Sequence, residues 1–165
     1  TSNSEAYYLA YAGTWYKFPY NDYTTETWYT SSSVKCACCD GDNIYFIDGN
    51  SKLQCLNSKT KECEELGTMP SGYVNYPFIS IFDRIIYFGK SGQLDTLDCF
   101  DLDTKTFFTL TGPGKYAKTS VSKCNVLPVW NGKIFFHNMV RASGYSDYAM
   151  YLYDIKGFSF SNKKI

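Results

Sequence analysis

The chain of 165 residues is long enough for one domain with a sizeable core. Lys and Arg number 16, as do Asp and Glu, which argues against a general nucleic-acid binder because such proteins need a surplus of positive charge. Aromatic residues make up 19% of the chain, and no long window shows apolar residues at helical spacing, so we predict an all-β protein. No apolar run is long enough for a membrane span.

The chain contains seven cysteines, an odd number, so at least one thiol stays free if all pairing is internal. The cysteines do not form the evenly spaced framework that is typical of small secreted domains. Because disulfides rarely persist in reducing compartments, this pattern favours reduced thiols in a cytoplasmic protein.

The predicted strands group into four units along the chain. The first unit, residues 5–30, lacks a first strand and contains only 7–12, 15–20 and 26–30. The later units have four predicted strands each: 34–39, 43–47, 51–56 and 61–66, then 77–81, 84–88, 96–101 and 106–110, then 124–129, 133–138, 148–153 and 157–161. These units span about 34–66, 77–110 and 124–161, and we interpret residues 1–165 as a single repeat domain.

One apolar and aromatic strand recurs in the units. It reads IYF at 44–46, IYF at 86–88 and IFF at 134–136, each time after a turn of Asp, Gly, Asn or Arg. A weaker copy is EAYYLAYAG at 5–13. Such turn residues are typical of a tight hairpin that enters a strand.

A second recurring element has Asp or Asn, then Thr three residues later, then a large or sulfur-containing side chain after three more. The copies are Asp22/Thr25/Trp28, Asn57/Thr60/Cys63 and Asp101/Thr104/Phe107. An Asp or Asn side chain can accept hydrogen bonds from backbone N–H groups two or three residues further on. The element therefore predicts a closed turn before the last strand of each unit.

Four antiparallel strands per unit, repeating at about 40–50 residues, are typical of propeller blades. The segments DGDNIYFIDG, FDLDTKTFFTL and ELGTMPSG resemble kelch repeats, in which an apolar strand meets a glycine pair and a Tyr-Asp turn precedes a Trp-containing strand. Trp28 and the pair Tyr153 and Asp154 match this pattern, whereas the glycine pair is reduced to Asp48 and Gly49. The resemblance implies a β-propeller of four-stranded antiparallel blades that serves as an interaction scaffold.

About three and a half blades are fewer than the six or seven with which kelch-like propellers generally close. Three explanations are open: a part of a longer chain, a ring completed by another chain, or a compact four-bladed ring. Bare blade faces and strand edges favour association. We therefore expect an incomplete propeller in this chain, whose partners are other proteins or the remaining blades of a ring.

The cysteines and the single histidine suggest no catalytic constellation. Cys36 and Cys39 form a CxxC motif, but on a strand they point to opposite faces and cannot chelate one ion without a bulge. We expect the cysteines to act as small apolar residues, with a metal site or a disulfide as the alternative. Because His137 is the only histidine, we predict no metal, no cofactor and no enzyme activity.

The aromatic run YYLAYAGTWYKFPY, residues 7–20, allows two interpretations. Alternation places Tyr8 and Ala10 on one face of a strand and Tyr7, Leu9 and Tyr11 on the other. We expect most of these side chains to pack between blades. A binding patch is the alternative, since Tyr and Trp are favoured at interfaces.

Two polar insertions are candidate contact surfaces, because propellers bind through such loops. The segment VRASGYSDYAM, 140–150, contains Arg141, Tyr145 and Asp147, and the segment GYVNYP, 72–77, contains Tyr73 and Tyr76. For both, a surface insertion without a partner is the alternative.

These features lead to one functional prediction and one alternative. The prediction is a non-catalytic protein–protein interaction scaffold, a kelch-like propeller module of a larger protein or assembly. The alternative is a propeller lectin or another small-ligand-binding protein that uses exposed aromatic loop residues.

Overall fold

The computed structural model describes residues 1–22, 24–70, 78–89, 96–111, 124–130, 132–142, 145–154 and 159–161. All regular structure in these ranges is β-strand, and they contain no helix that could cross a membrane. The strands are β1 Ala6–Tyr11, β2 Thr14–Pro19, β3 Glu26–Thr30, β4 Val34–Asp40, β5 Asn43–Asp48, β6 Lys52–Asn57, β7 Cys63–Thr68, β8 Phe78–Phe82, β9 Ile85–Gly89, β10 Thr96–Asp101, β11 Thr106–Thr111, β12 Cys124–Trp130, β13 Lys133–Ala142, β14 Tyr145–Asp154 and β15 Ser159–Ser161.

The strands form four antiparallel sheets, each of which follows the order of the chain. The first sheet has the order β1-β2-β3, and the others have the orders β4-β5-β6-β7, β8-β9-β10-β11 and β12-β13-β14-β15. This grouping is the one that the sequence predicts, including the missing first strand of the first unit. Sequential antiparallel strands need only short turns, which the Asp-, Asn- and Gly-containing segments between them provide.

The hairpin of β13 and β14 differs from the prediction. The predicted strands at 133–138 and 148–153 leave residues 139–147 as an insertion between them, but β13 and β14 are ten residues long and pair from Lys133↔Asp154 to Ala142↔Tyr145. The polar residues of this segment are interspersed with Val140, Tyr145 and Tyr148, which favour strands. The insertion therefore lengthens a hairpin, and the prediction of a loop there was wrong.

The chain divides into two compact units, Thr1–Val74 and Asn75–Ile165. In the first unit the inner faces of the first and second sheets pack together, and their core consists of Ala6, Tyr8, Trp15, Trp28, Ile44, Phe46 and Leu56. The Trp15 and Phe46 rings meet edge to face at 5.3 Å, and the Tyr8 and Trp28 rings lie 4.9 Å apart. Such aromatic pairs add stabilisation beyond the area that they bury.

In the second unit, the described core lies in the β8–β11 sheet. Ile86, Phe88, Cys99 and Phe100 are buried, and the Phe100 ring lies 4.7 Å from that of Phe107. The recurring apolar strands at 44–46 and 86–88 thus supply buried residues to both units, as their repetition in the sequence suggests.

A β-bulge directs aromatic side chains of β3 toward the second sheet. Trp15 pairs with Tyr29 while the next residue, Tyr16, pairs with Thr27, so Trp28 is the extra residue. A bulge can turn neighbouring side chains to the same side of a sheet. Trp28 is buried in the core and Tyr29 packs partly against it, and the ammonium of Lys61 lies 5.8 Å from the Trp28 ring centre.

The predicted Asx turns are confirmed. The Asn57 Oδ1 atom accepts hydrogen bonds from the backbone N–H groups of Lys59 (2.9 Å) and Thr60 (3.0 Å). Asp101 binds the N–H groups two and three residues further on in the same way, and Asp22 accepts one from Thr24 at 3.0 Å. These bonds fix the turns before β3, β7 and β11.

Candidate functional site: an exposed aromatic face on the first sheet

Strand β1 has a buried side and an exposed side. Tyr8 points into the core and is 1% exposed, whereas Tyr7 and Leu9 are each 45% exposed and Tyr11 is 73% exposed. The alternation is the one that the sequence predicts for this segment. The structure adds that the side with Tyr8 is buried, whereas Tyr7, Leu9 and Tyr11 remain exposed.

Strand β2 extends the exposed side. Phe18 lies opposite Tyr7 and Tyr16 lies opposite Leu9, and both are half-buried. The rings of Tyr7 and Phe18 lie 6.2 Å apart, which is contact distance for an aromatic pair. We define the aromatic face as Tyr7, Leu9, Tyr11, Tyr16, Phe18 and Tyr20.

Exposed apolar residues are concentrated on this face. In the part of the chain whose side chains the structure describes, the exposed large apolar residues are Tyr7, Leu9, Tyr11 and Tyr20, and all four belong to it. Single exposed apolar residues are normal, but a contiguous apolar patch on a folded protein marks an interaction surface. Tyr is well suited to such a surface, because its ring supplies apolar area and its hydroxyl remains able to form a hydrogen bond.

The second sheet has an apolar face that another sheet covers. The side of the second sheet that faces the first carries Ile44, Phe46 and Leu56, which are all at most 1% exposed. They are buried by Tyr8, Trp15 and Trp28 of the first sheet. The aromatic face is the other side of the first sheet, and within the described residues of this unit no sheet packs on it.

The thiols of β4 are half-buried and hold their protons. Burial raises the pKa of Cys36 to about 12 and also raises the pKa of Cys38 and Cys39 above the usual 9.0. Cys39 accepts a hydrogen bond from the Thr1 hydroxyl at 3.1 Å. Thiols with raised pKa values are poor nucleophiles, because the thiolate is the reactive form.

Metal-binding groups are scattered in the described ranges. These ranges contain no group of three or more His, Cys, Asp or Glu residues that could hold a metal ion, and the six cysteines with described side chains are all free thiols. The bulge of β4 lies between Val34 and Cys36, and the regular pairing from Cys36 to Cys39 places these two residues on opposite faces of the strand.

The loop residues proposed from the sequence are placed only in part. Tyr73 and Tyr76 lie outside the described residues. Arg141, Tyr145 and Asp147 lie near the tip of the β13–β14 hairpin, where Arg141 pairs with Ser146.

Tyr16, Phe18 and Tyr20 belong to the aromatic run at 7–20, but the alternation predicted from the sequence was assigned only to its first strand. The available signal was the alternation in TWYKFPY, which continues that of β1 onto the next strand. The alternation separates the two faces of the hairpin but does not show which face a neighbouring sheet covers.

Comparisons with known proteins identify the fold. No family model and no curated protein matches the chain. The N-terminal domain of Nup159 matches with a TM-score of 0.62 and 12% identity, over 100% of this chain and 46% of that one. A chain of the S. cerevisiae complex of Dbp5 with Nup159, Gle1, IP6 and ADP matches with a TM-score of 0.61 and 12% identity, over 99% and 46%.

A third structure, a structural-genomics protein from Bacteroides thetaiotaomicron, matches with a TM-score of 0.69 and 15% identity, over 98% of this chain and 45% of that one. These matches show an all-β fold of the β-propeller type, as predicted. The chain spans less than half the length of the solved chains that it resembles.

Proposed function

We propose that the chain is a non-catalytic protein–protein interaction scaffold, a kelch-like propeller module of a larger protein or assembly. The observation that carries the proposal is the aromatic face, where Tyr7, Leu9 and Tyr11 are exposed on an otherwise well-packed sheet. The similarity to a chain from a complex that contains Dbp5, Nup159 and Gle1 supports a role in protein assembly.

The partner that best fits the aromatic face is another β-sheet, belonging to the same ring or to another chain that completes it. The two packed sheets of the first unit show this type of contact, with aromatic side chains of one sheet against Ile44, Phe46 and Leu56 of the other. Covering the face would remove apolar area from water, which favours association by about 25 cal/mol for each Å² buried. The free thiols of β4 support a cytoplasmic location.

The proposal is tested by measuring the mass and chain composition of the native particle, using light scattering with intact mass spectrometry. We expect a particle larger than the single chain, and we expect Leu9→Lys to dissociate it because the ammonium group would be desolvated in the contact. Thr25→Lys is the matched control, since it adds the same charge to an exposed turn outside the aromatic face. This control should leave the particle intact.

A particle that remains the same size in the Leu9→Lys and Tyr11→Lys variants would contradict the role of the aromatic face. A folded monomer that binds no protein but does bind oligosaccharides through Tyr11 would contradict the scaffold and favour the lectin. Competition with soluble sugar also distinguishes the two functions. The sugar should displace an oligosaccharide bound to a lectin, but it should not displace a packed sheet.

A further inference from the structure

The last strand of each sheet is an outer strand that has a neighbour on one edge only. In the described part of the chain, β3, β7, β11 and β15 pair with β2, β6, β10 and β14, respectively, and with no strand on the other edge. Such an edge presents N–H and C=O groups that can pair with a strand of another molecule. Folded proteins usually protect it with charges, bulges or a short length.

Three of the four outer strands are protected in these ways. Strands β3 and β7 both contain glutamate, and both have a β-bulge in their pairing with the neighbouring strand. Strand β15 has only three residues, Ser159–Ser161. A bulge twists the edge away from a partner, charge opposes the approach of a like-charged strand, and a short strand offers few hydrogen bonds.

Strand β11 has none of these protections, although it lies within the sequence between β10 and β12. Its six residues, TFFTLT, carry no charge, and all six pair with β10 without a register shift. Thr and Phe also favour strands. Phe107 and Phe108 are only partly buried, and the Phe107 ring lies 4.7 Å from that of Phe100. The outer edge of β11 is therefore regular, uncharged and supported by packing on β10.

The pairing of β10 with β9 determines which backbone groups of β11 point outward. The Leu102 N–H group, directly after β10, donates to the Arg84 carbonyl at 3.0 Å, so the even-numbered residues of β10 bond to β9. The odd-numbered residues of β10 therefore bond to β11, where their partners are even-numbered. The outward N–H and C=O groups of β11 belong to Phe107, Thr109 and Thr111.

We propose that β11 pairs with β11 of a second copy of this chain, as an antiparallel pair about a two-fold axis at Thr109. In this register Thr109 lies opposite itself, and Phe107 lies opposite Thr111 of the second copy. Hydrogen-bonded pairs occur at alternate residues of an antiparallel ladder. This register is the one in which all three outward residues form hydrogen-bonded pairs.

The chemistry of β11 fits a second copy as the occupant. The self-pair brings only uncharged residues opposite each other, whereas the same pairing of β7 would bring Glu64 and Glu65 of two copies together. The added strand would also remove more of Phe107 and Phe108 from water. Because the contact uses the same surface of both copies, it covers both edges and the assembly closes at a dimer.

This contact can be separated from the aromatic face. The two surfaces lie in different units of the chain, Asn75–Ile165 and Thr1–Val74. The test therefore uses the Leu9→Lys chain, in which the β11 pair is the contact that remains. A monomeric Leu9→Lys chain would contradict the β11 pair alone, whereas a native particle that Leu9→Lys leaves unchanged would contradict the role of the aromatic face alone.

The first measurement is sedimentation equilibrium of the Leu9→Lys chain between about 10 μM and 1 mM, which covers the affinity of a small contact. We expect a reversible monomer–dimer equilibrium. Thr109→Pro removes the N–H group at the centre of the pair and keeps the ladder to β10, as proline on an edge strand permits. It should weaken dimerisation by about tenfold or more.

Thr109→Val is the matched control for Thr109→Pro. Both variants lose the hydrogen bond from Thr109 Oγ1 to Asp98 Oδ1 (3.0 Å), but only valine keeps the outward N–H group. The Thr109→Val chain should therefore dimerise like the Leu9→Lys chain from which it is made.

Opposite charges at position 109 test whether the partner is a second copy. The exposed Thr109 side chains lie opposite each other in the proposed pair, so Thr109→Lys and Thr109→Glu should each weaken their own dimer. An equimolar mixture should restore it as a heterodimer, detected by native mass spectrometry. The same two substitutions at Thr25, on an exposed turn of the other unit, should have no effect.

Hydrogen exchange locates the contact without a substitution in β11. Protection of the Thr109 amide should increase with protein concentration, because its N–H group becomes hydrogen bonded in the dimer. The Phe108 amide bonds to β10 and should be protected at every concentration.

Four results would overturn the proposal. The first is a monomer at every concentration, and the second is equal dimerisation of Thr109→Pro and Thr109→Val. The third is a mixture of the Lys and Glu variants that is no more dimeric than either variant alone. The fourth is growth beyond a dimer, because a two-fold pair of edges closes.

Discussion

The two faces of the first sheet differ in environment but not in composition. The inner face carries Tyr8, Trp15 and Trp28, each at most 5% exposed, whereas the outer face carries Tyr7 and Tyr11, which are 45% and 73% exposed. Both faces belong to one aromatic-rich sheet of three strands. The difference arises because the second sheet packs on one face and no described part of the chain covers the other to the same degree.

Aromatic alternation therefore identifies surfaces that are suitable for burial rather than surfaces that are buried. Sheets in layered folds bury their apolar faces against other elements, so an apolar face that remains exposed is suited to contact with a further sheet. The inner face should therefore control the stability of the first unit, and the outer face should control its association. Mutations on the two faces separate these effects.

The largest effect is expected at the centre of the inner face. Trp15→Ala removes a fully buried ring that contacts Phe46, together with the hydrogen bond from Trp15 Nε1 to Ser31 Oγ (3.0 Å). We expect the free energy of unfolding to fall by about 3–5 kcal/mol, as measured by urea denaturation. Trp15→Phe, which keeps an aromatic ring, should cost less. A loss below about 1 kcal/mol for Trp15→Ala would show that the inner face is not a packed core.

A smaller effect is expected in the β1–β2 turn, because this turn sets the register of the hairpin and thereby the face on which each residue lies. Ala12 and Gly13 both have positive φ, as in the hairpin turns that match the twist of paired strands. A register slip of one residue would exchange the two faces. In Gly13→Ala, the new Cβ would lie 2.6 Å from the Ser31 carbonyl oxygen, at a φ of +83°. We expect the free energy of unfolding to fall by about 1–3 kcal/mol, as measured by urea denaturation.

Gly41→Ala is the matched control for this turn. Gly41 also has positive φ (+56°), but a Cβ there would meet no atom within 4 Å. This control measures the backbone strain alone, about 1 kcal/mol. If Gly13→Ala and Gly41→Ala lowered the free energy of unfolding equally, the close approach of residue 13 to Ser31 would not constrain the turn.

The hydroxyl group of Tyr8 distinguishes the inner tyrosine from the outer ones. It accepts a hydrogen bond from Asn3 Nδ2 at 3.5 Å and is also hydrogen bonded to Ser58. Tyr8→Phe should therefore lower the free energy of unfolding by about 1 kcal/mol at neutral pH.

The cost of Tyr8→Phe should also depend on pH. Burial raises the pKa of Tyr8 above its usual 10.0, although its hydrogen bonds oppose the rise. Above pH 10 the folded state therefore keeps a proton that the unfolded state releases. The contribution of Tyr8 to the free energy of unfolding is fully present below pH 10 and is lost as the pH increases through the raised pKa. The difference between wild type and variant should shrink above pH 10 in urea titrations at several pH values. A constant difference would contradict the buried hydroxyl.

The strand pattern could be predicted closely from the sequence because it depends on local chemistry. Alternation, turn residues and the Asx motif at Asn57 are all encoded within a few residues, and the structure confirms the sheets that they predict. The same local reasoning failed at residues 139–147, where polar composition masked a strand-forming alternation. The extended β13–β14 hairpin shows that a polar segment can form paired strands although its composition is typical of a loop.

The candidate site could be predicted only in part. The alternation separated Tyr7 and Tyr11 from Tyr8, but whether a face is covered depends on the packing of a sheet from a distant part of the sequence. The pairing of Thr1 with Tyr8 was also outside the reach of local patterns. The aromatic face and the Thr1–Tyr8 pairing both depend on which segments pack beside β1, and the sequence of β1 does not specify those segments.

The smallest effect on stability is expected on the outer face. Tyr11 is 73% exposed, so Tyr11→Ser should change the free energy of unfolding by less than about 0.5 kcal/mol. The same variant should weaken the association of the native particle, since the tyrosine ring would be among the groups buried by a partner sheet. Urea denaturation of the isolated chain and light scattering of the particle measure the two effects separately. If Tyr11→Ser instead destabilised the chain by as much as Tyr8→Phe, the outer face would already be packed within the chain, and the distinction between a face for folding and a face for binding would fail.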